Sequence, residues 1–140
     1  MTGYDYLMQP RQIDYKIRRL QIQVTELESC LLPQAIRYDK DKVQTSPEDL
    51  LSRIAARISD LSRESNRLAR KKAELVIEIS DEVEALADDT EKAVLMGYFI
   101  ARKSMKEVAE QIHYTIRGAY KVRARAVRHF ESVHKVHTKT

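Results

Sequence analysis

Five basic side chains and no acidic one lie in the stretch HYTIRGAYKVRARAVRHF, residues 113–130. If the stretch is helical, successive residues turn by about 100° and its apolar and basic residues separate onto opposite faces. The apolar face holds Ala119, Val122, Ala126 and Phe130, and the basic face holds Arg117, Lys121, Arg125 and Arg128. A solvated charged face is common, but a positive face with no acid to balance it favours a polyanionic partner, and double-stranded DNA is the partner predicted here.

A helix lying in the major groove uses residues near its N-terminus to contact base edges, and its later cations contact phosphates. The predicted base-reading residues are Thr115, Ile116, Arg117, Tyr120 and Lys121. The predicted phosphate-binding residues are Arg102, Lys103, Lys106, Arg125 and Arg128. Arg117 has the planar fork that binds guanine at two atoms. Arg123 lies nearer the apolar face and is predicted to pair with an acid such as Glu107 or Glu110.

Gly118 interrupts this predicted helix, at a cost of about 1 kcal/mol relative to alanine. Because it lies between Arg117 and Lys121, we interpret it as a site of close backbone approach to DNA. Gly118→Ala is then expected to stabilise the fold slightly and to weaken DNA binding.

Two short helices position the basic face. Ser104 is predicted to cap a helix over Met105–Ile112, with Glu107 completing a capping box, and Thr115 to cap a helix running to about Phe130. Their spacing matches a helix-turn-helix. The residues predicted at the crossing are Val108, Ala109, Ile112, Tyr114, Ala119 and Val122. His113 takes the turn position, where glycine is frequent because φ is positive and histidine is tolerated.

Two longer helices precede this motif. The first is predicted over residues 9–32, with apolar residues spaced by three and four until Pro33 ends it: Ile13, Ile17, Leu20, Val24, Leu27 and Leu31. A linker at 33–46 follows, and Ser46 with Pro47 predicts the start of a second helix running towards Leu86. The second seam comprises Leu51, Ile54, Ile58, Leu61, Ser65, Leu68, Lys72, Leu75, Ile79, Glu82 and Leu86.

The second seam is about twice as long as the first, so a hairpin between the two helices leaves part of it uncovered. We therefore expect a homo-oligomer formed through residues 9–32 and 47–86; a three- or four-helix bundle within one chain is the alternative. The prediction is an all-α protein with a helical hairpin or coiled coil at residues 1–88. Residues 89–131 are predicted to form a helix-turn-helix domain that begins with a helix from about Thr90 to Arg102. Residues 132–140 are predicted to form a tail.

Charge and composition narrow the classes of function. Residues 1–88 carry 14 basic and 16 acidic side chains, whereas residues 89–140 carry 11 basic and 5 acidic ones. The single cysteine, Cys30, excludes a disulfide framework, and no apolar run approaches membrane-spanning length. The three glycines are isolated and form no phosphate-binding loop. We expect no enzymatic activity and no cofactor. We also expect no metal site at His129, His134 and His137, because no cysteine or acidic cluster supplies the remaining ligands. The expected location is the cytoplasm of a bacterial host cell.

The stretch AVLMGYFIARKSMKEVAEQIHYTIRGAYKVRARAVRHF resembles region 4 of bacterial sigma factors, as it also occurs in phage regulators of the ArpU/RinA type. The stretch DKVQTSPEDLLSRIAARISDL resembles a related phage protein family of unknown function, from Gram-positive bacteria and their prophages. Together they cover 59 of the 140 residues, about two fifths of the chain. The resemblance implies control of phage late-gene transcription, with no enzymatic activity and no cofactor.

Three interpretations remain open from the sequence. The first is a sequence-specific DNA-binding transcriptional regulator of a phage or prophage. The second is a phage DNA-packaging component similar to a small terminase subunit, which would form a ring of eight or more subunits. The third is a module that binds RNA polymerase, since sigma region 4 also contacts polymerase. Binding that falls steeply with rising salt would indicate phosphate contacts and so favour DNA.

Overall fold

The computed structural model describes residues 1–36 and 47–139, with side chains described for 1–31, 48–134. Within these ranges the chain is helical and contains no strand, so the all-α prediction is confirmed. We number the helices α1 (Gly3–Ile36), α2 (Pro47–Glu84), α3 (Asp89–Leu95), α4 (Met105–Ile112) and α5 (Ile116–Lys139). A π-helical turn, Met96–Ile100, follows α3 directly.

Helix α1 begins six residues earlier than the apolar spacing predicts. Thr2 and Asp5 form a reciprocal cap: the Asp5 N–H donates to Thr2 Oγ1 at 3.1 Å, and the Thr2 N–H donates to Asp5 Oδ2 at 3.4 Å. The helix also runs through Pro10 and Pro33, so the prediction that Pro33 ends it is wrong. A proline inside a helix costs about 3 kcal/mol; at Pro10 the opposing contribution is visible, because the ring is fully buried.

Helix α2 begins at Pro47, as predicted for the first helical position. The predicted Ser46 cap and the linker from residue 37 to 46 lie outside the described residues. The third predicted helix is divided in the structure. Asp88 caps α3 by accepting hydrogen bonds from the N–H groups of Thr90 and Glu91, and a wider turn then begins at Met96. In that turn the Ala101 N–H donates to the Met96 carbonyl five residues earlier.

The chain divides into two compact units, one at Asp14–Lys71 and the other made of Met1–Ile13 and the chain from Lys72 onward. This differs from the predicted boundaries at residues 88 and 131. The difference has a physical cause: the first turns of α1 and the last turns of α2 supply three of the eight buried residues in the main core of the second unit. That core contains Leu7, Ile79, Val83, Leu86, Leu95, Phe99, Ala126 and Phe130.

Helix α5 also exceeds its predicted length. The sequence predicts that it ends near Phe130 and leaves a tail at 132–140, but the helix continues to Lys139. Val133 packs against the main core, and the His134 ring lies 5.8 Å from the Phe130 ring and 4.2 Å from the Tyr6 ring. These contacts bury one face of the turns that follow Phe130. The predicted apolar stripe ends at Phe130, so it does not indicate this burial.

Within the unit Asp14–Lys71, predicted seam residues from α1 and α2 line common grooves. Leu20 and Val24 line one groove with Ser62 and Ser65. In a second groove, Leu27 lies beside Leu50 and Ile54. Among the side chains of α2 that the structure describes in this unit, Ile54, Leu61 and Leu68 are buried, and they repeat every seven residues as the predicted seam requires.

Candidate nucleic-acid interface

Local hydrogen bonds form the connection between α4 and α5, and they agree with the sequence prediction. Ser104 Oγ accepts the Glu107 N–H at 3.2 Å, and its hydroxyl donates to Glu107 Oε1 at 3.1 Å. At the other end of α4, His113 has φ 62° and ψ 39°, which is the left-handed conformation expected there. Thr115 Oγ1 then accepts the Gly118 N–H at 3.0 Å and caps α5. The three predicted local roles, of Ser104, His113 and Thr115, are confirmed.

The free energy of unfolding of a His113 variant tests the conformation of this turn. A non-glycine residue in the left-handed region carries a conformational cost, so we expect His113→Gly to raise the free energy of unfolding by about 0.5–1 kcal/mol. Glu110→Gly, three residues earlier and exposed within α4, is expected to lower it by about 1 kcal/mol. Urea unfolding followed by far-ultraviolet circular dichroism measures both changes. A destabilising His113→Gly would show that the turn is formed differently.

Helices α4 and α5 pack through two small apolar clusters. One contains Val94, Val108 and Val122, and the other contains Met105, Ala109 and Ala119. Tyr98 and Ile112 pack against both clusters. Four of the six predicted crossing residues are therefore buried and Ile112 is partly buried, whereas the Tyr114 side chain is about half exposed. Because the buried side of α5 is set by these contacts, its opposite side faces outward.

The five predicted base-reading residues are all exposed, at the N-terminal end of α5. They are Thr115, Ile116, Arg117, Tyr120 and Lys121. Among the described residues, no ion pair within 4 Å involves Arg117, Lys121 or Arg128. These cations are thus available to an anionic partner without first breaking a salt bridge of the described chain.

The remaining predicted phosphate-binding residues differ in their surroundings. Lys106 is exposed, whereas Arg102 and Lys103 are half-buried, and Lys103 Nζ donates to Gln111 Oε1 at 3.1 Å. Arg102 has φ 60°, a strained conformation for a residue with a side chain.

Arg125 lies 3.8 Å from Asp88 Oδ2 and 3.7 Å from Glu91 Oε2. A DNA phosphate would therefore compete with two carboxylates for Arg125.

Arg123 is surrounded by tyrosines, and the predicted pairing with Glu107 or Glu110 is replaced by these contacts. Its guanidinium carbon lies 4.8 Å from the ring centres of both Tyr98 and Tyr120, and 5.6 Å from that of Tyr4. A guanidinium over an aromatic face is attracted by the ring quadrupole. The three tyrosines lie far apart in the sequence, so no local pattern predicts this arrangement.

The structure gives Gly118 a role in the cap of α5, which is separate from the predicted approach to DNA. Its φ is negative, and a Cβ added there would lie 3.1 Å from Thr115 Oγ1 and 3.4 Å from Tyr114 Cδ2. The missing side chain therefore leaves room for the helix cap and for the Tyr114 ring. The stabilisation expected of Gly118→Ala is opposed by this crowding, because Thr115 Oγ1 must move while it accepts the Gly118 N–H.

Two histidines of α5 contact carboxylates. His129 Nδ1 hydrogen-bonds to Glu91 Oε1, and His134 Nδ1 lies 2.8 Å from Glu82 Oε2. No group of three or more potential metal ligands occurs among the described residues. No helix in the described ranges combines the length and the apolar character needed to cross a membrane.

Comparison of the chain with protein-family models, with characterised proteins and with solved structures finds no match.

Proposed function

We propose that this protein is a sequence-specific DNA-binding transcriptional regulator, in which α4 and α5 form a helix-turn-helix and α5 is the recognition helix. The observation that carries the proposal is the position of Arg117 and Lys121 at the exposed start of α5, without an acidic partner among the described residues. The turn at His113 and the cap at Thr115 fix where α5 begins, and the residues at that end are exposed. A recognition helix uses that end to contact base edges.

The remaining parts of the proposal concern assembly and biological setting. We propose that residues 9–32 and 47–86 form a helical hairpin or coiled coil that brings copies of the chain together. In a dimer that reads adjacent turns of DNA, the two recognition helices lie about 34–36 Å apart. Control of phage or prophage late genes is proposed on the resemblance of residues 93–130 and 41–61 alone. A dimer in sedimentation experiments would support the regulator, and a ring of eight or more subunits would support a packaging role.

The direct test is selection of binding sites from a pool of random duplex DNA by the purified full-length protein. The proposal expects enrichment of one sequence, with two related half-sites if the protein binds as a dimer. It also expects affinity to fall steeply as salt rises, because phosphate contacts release counterions. Recovery of unrelated sequences with no preference over random DNA would contradict the proposal.

Arg128 and Arg125 provide a matched pair for the phosphate contacts. Both are on the basic face of α5, but only Arg125 has carboxylates, those of Asp88 and Glu91, close to its guanidinium in the described part of the chain. If Arg128 contacts a phosphate, Arg128→Ala should weaken binding to all sequences alike and reduce the slope of log K against log salt by about 1. Arg125→Ala should change that slope less. Equal slopes for the two variants would show that the ion pairs of Arg125 do not limit its contact with DNA.

A further inference from the structure

Three large side chains with apolar surfaces are exposed at the start of α5, near Arg117 and Lys121, which have no ion pair among the described residues. Tyr114, Ile116 and Tyr120 have 47%, 48% and 46% of their surface exposed, and we call them the apolar patch. Ile116 and Tyr120 are four residues apart on one helix, so their side chains are neighbours. Tyr114 lies against the same turn, since its Cδ2 is 3.4 Å from the position of a Cβ on Gly118.

Contacts with Arg123 restrain one member of the apolar patch, Tyr120. Arg123 lies over the Tyr120 ring at 4.8 Å and over the partly buried Tyr98 ring at the same distance. Tyr98 in turn packs edge-on against the fully buried Phe99 at 4.9 Å between ring centres. The Tyr120 side chain is therefore attached to the core of its unit although half of its surface is exposed. Its position is more restricted than that of an isolated surface tyrosine.

We propose that the apolar patch contacts thymine 5-methyl groups in the major groove, so that the target site contains thymine next to the base pair read by Arg117. The inference rests on the proposed function and adds the kind of base that the protein requires. The thymine methyl is the apolar group that a base pair presents in the major groove. Arg117 and Lys121 follow Ile116 and Tyr120 directly in the sequence, and their positive charge complements that of the duplex.

Uracil substitution tests this inference with the unmodified protein. Uracil lacks the 5-methyl group but keeps the hydrogen-bonding groups of thymine. The probe is the duplex of highest affinity from the random-pool selection, resynthesised with deoxyuridine replacing one thymidine at a time. At one or more positions the affinity should fall by about fourfold, the effect of losing one buried methyl-sized group.

Variants of the apolar patch assign the effect to residues. Ile116→Ala and Tyr120→Ala should each weaken binding to the thymine duplex and remove the difference between thymine and uracil at one position. Both positions are exposed on α5, and alanine favours the helix, so both variants should fold. Ile77→Ala is the control, because Ile77 is 63% exposed on α2 and away from α5 in sequence; it should retain the full difference.

The outcomes separate this inference from the proposed function. Equal binding of thymine and uracil duplexes at every position, or a preferred site without thymine, would overturn the inference while leaving sequence-specific DNA binding intact. A thymine–uracil difference that persists in Tyr114→Ala as well as in both of these variants would also overturn it, because a residue outside the apolar patch would then contact the methyl group. Absence of any preferred sequence in the selection would overturn both.

Discussion

Leu7→Ala is expected to lower the free energy of unfolding by about 2–5 kcal/mol. Leu7 is fully buried and belongs to the same core cluster as Ile79, Phe99 and Phe130. Replacing its isobutyl group with a methyl group removes three carbon atoms, loses their transfer free energy and leaves a cavity lined by residues on other helices. Because those neighbours come from distant parts of the sequence, the cavity cannot close by a shift of α1 alone. Urea or thermal unfolding followed by circular dichroism measures the change.

Ile22→Ala is the matched control on the same helix. Ile22 is 68% exposed, so its replacement should change the free energy of unfolding by no more than about 0.5 kcal/mol. The comparison also distinguishes the two ways of dividing the chain. If residues 1–13 belonged only to an N-terminal coiled-coil region, Leu7→Ala would leave the unfolding of the C-terminal helices unchanged. Equal effects of Leu7→Ala and Ile22→Ala would contradict the core described here.

Arg117→Ala is expected to reduce the preference for the selected DNA site over a scrambled duplex by about 1–3 kcal/mol, roughly 5- to 150-fold. This hypothesis follows from the exposure of Arg117 one residue after the start of α5, where a recognition helix approaches base edges. A guanidinium that binds guanine O6 and N7 contributes to one sequence and not to others. The measurement is the ratio of Kd values for the two duplexes, determined at one salt concentration.

Two further variants make the assignment specific to base reading. Arg117→Lys keeps the charge but cannot form the two parallel hydrogen bonds, so it should restore overall affinity without restoring the full preference. Arg128→Ala should weaken binding to both duplexes by a similar factor. If Arg117→Ala also weakens both duplexes equally, Arg117 contacts a phosphate and the base-reading role belongs to another residue.

Local structure around the interface could be predicted because it depends on neighbours in the sequence. Ser104 and Thr115 cap helices through N–H groups three residues later, and His113 adopts positive φ at the end of α4. The apolar spacing of α4 and α5 likewise identified Val108, Ala109, Ala119 and Val122 as internal. These signals act over three or four residues, so they can be read without knowing the rest of the fold.

The two ends of α1 differ from the prediction, although the signals near them also lie close together in the sequence. Thr2 and Asp5 form a capping pair whose spacing is visible in the sequence, and this pair explains why α1 begins at Gly3. Pro33 was expected to end the helix, but helical structure continues to Ile36. Helix propensities give the free-energy cost of a proline inside a helix, but they do not give the stabilising contacts that offset this cost. At Pro10 the opposing contribution is burial, which a sequence does not display.

The sequence by itself determined that the chain is helical, where α4 and α5 are capped, and which side of α5 is basic. Only the tertiary structure decided which cations are already paired and which residues complete the core. Arg125 and Arg128 look alike on a helical wheel, but Asp88 and Glu91 lie close to the first. Leu7 packs in one core cluster with Ile79 and residues later in the chain. Arg123 contacts tyrosines from several helices, including Tyr4 and Tyr98. Such contacts depend on how helices pack, and helical periodicity specifies only which face is apolar.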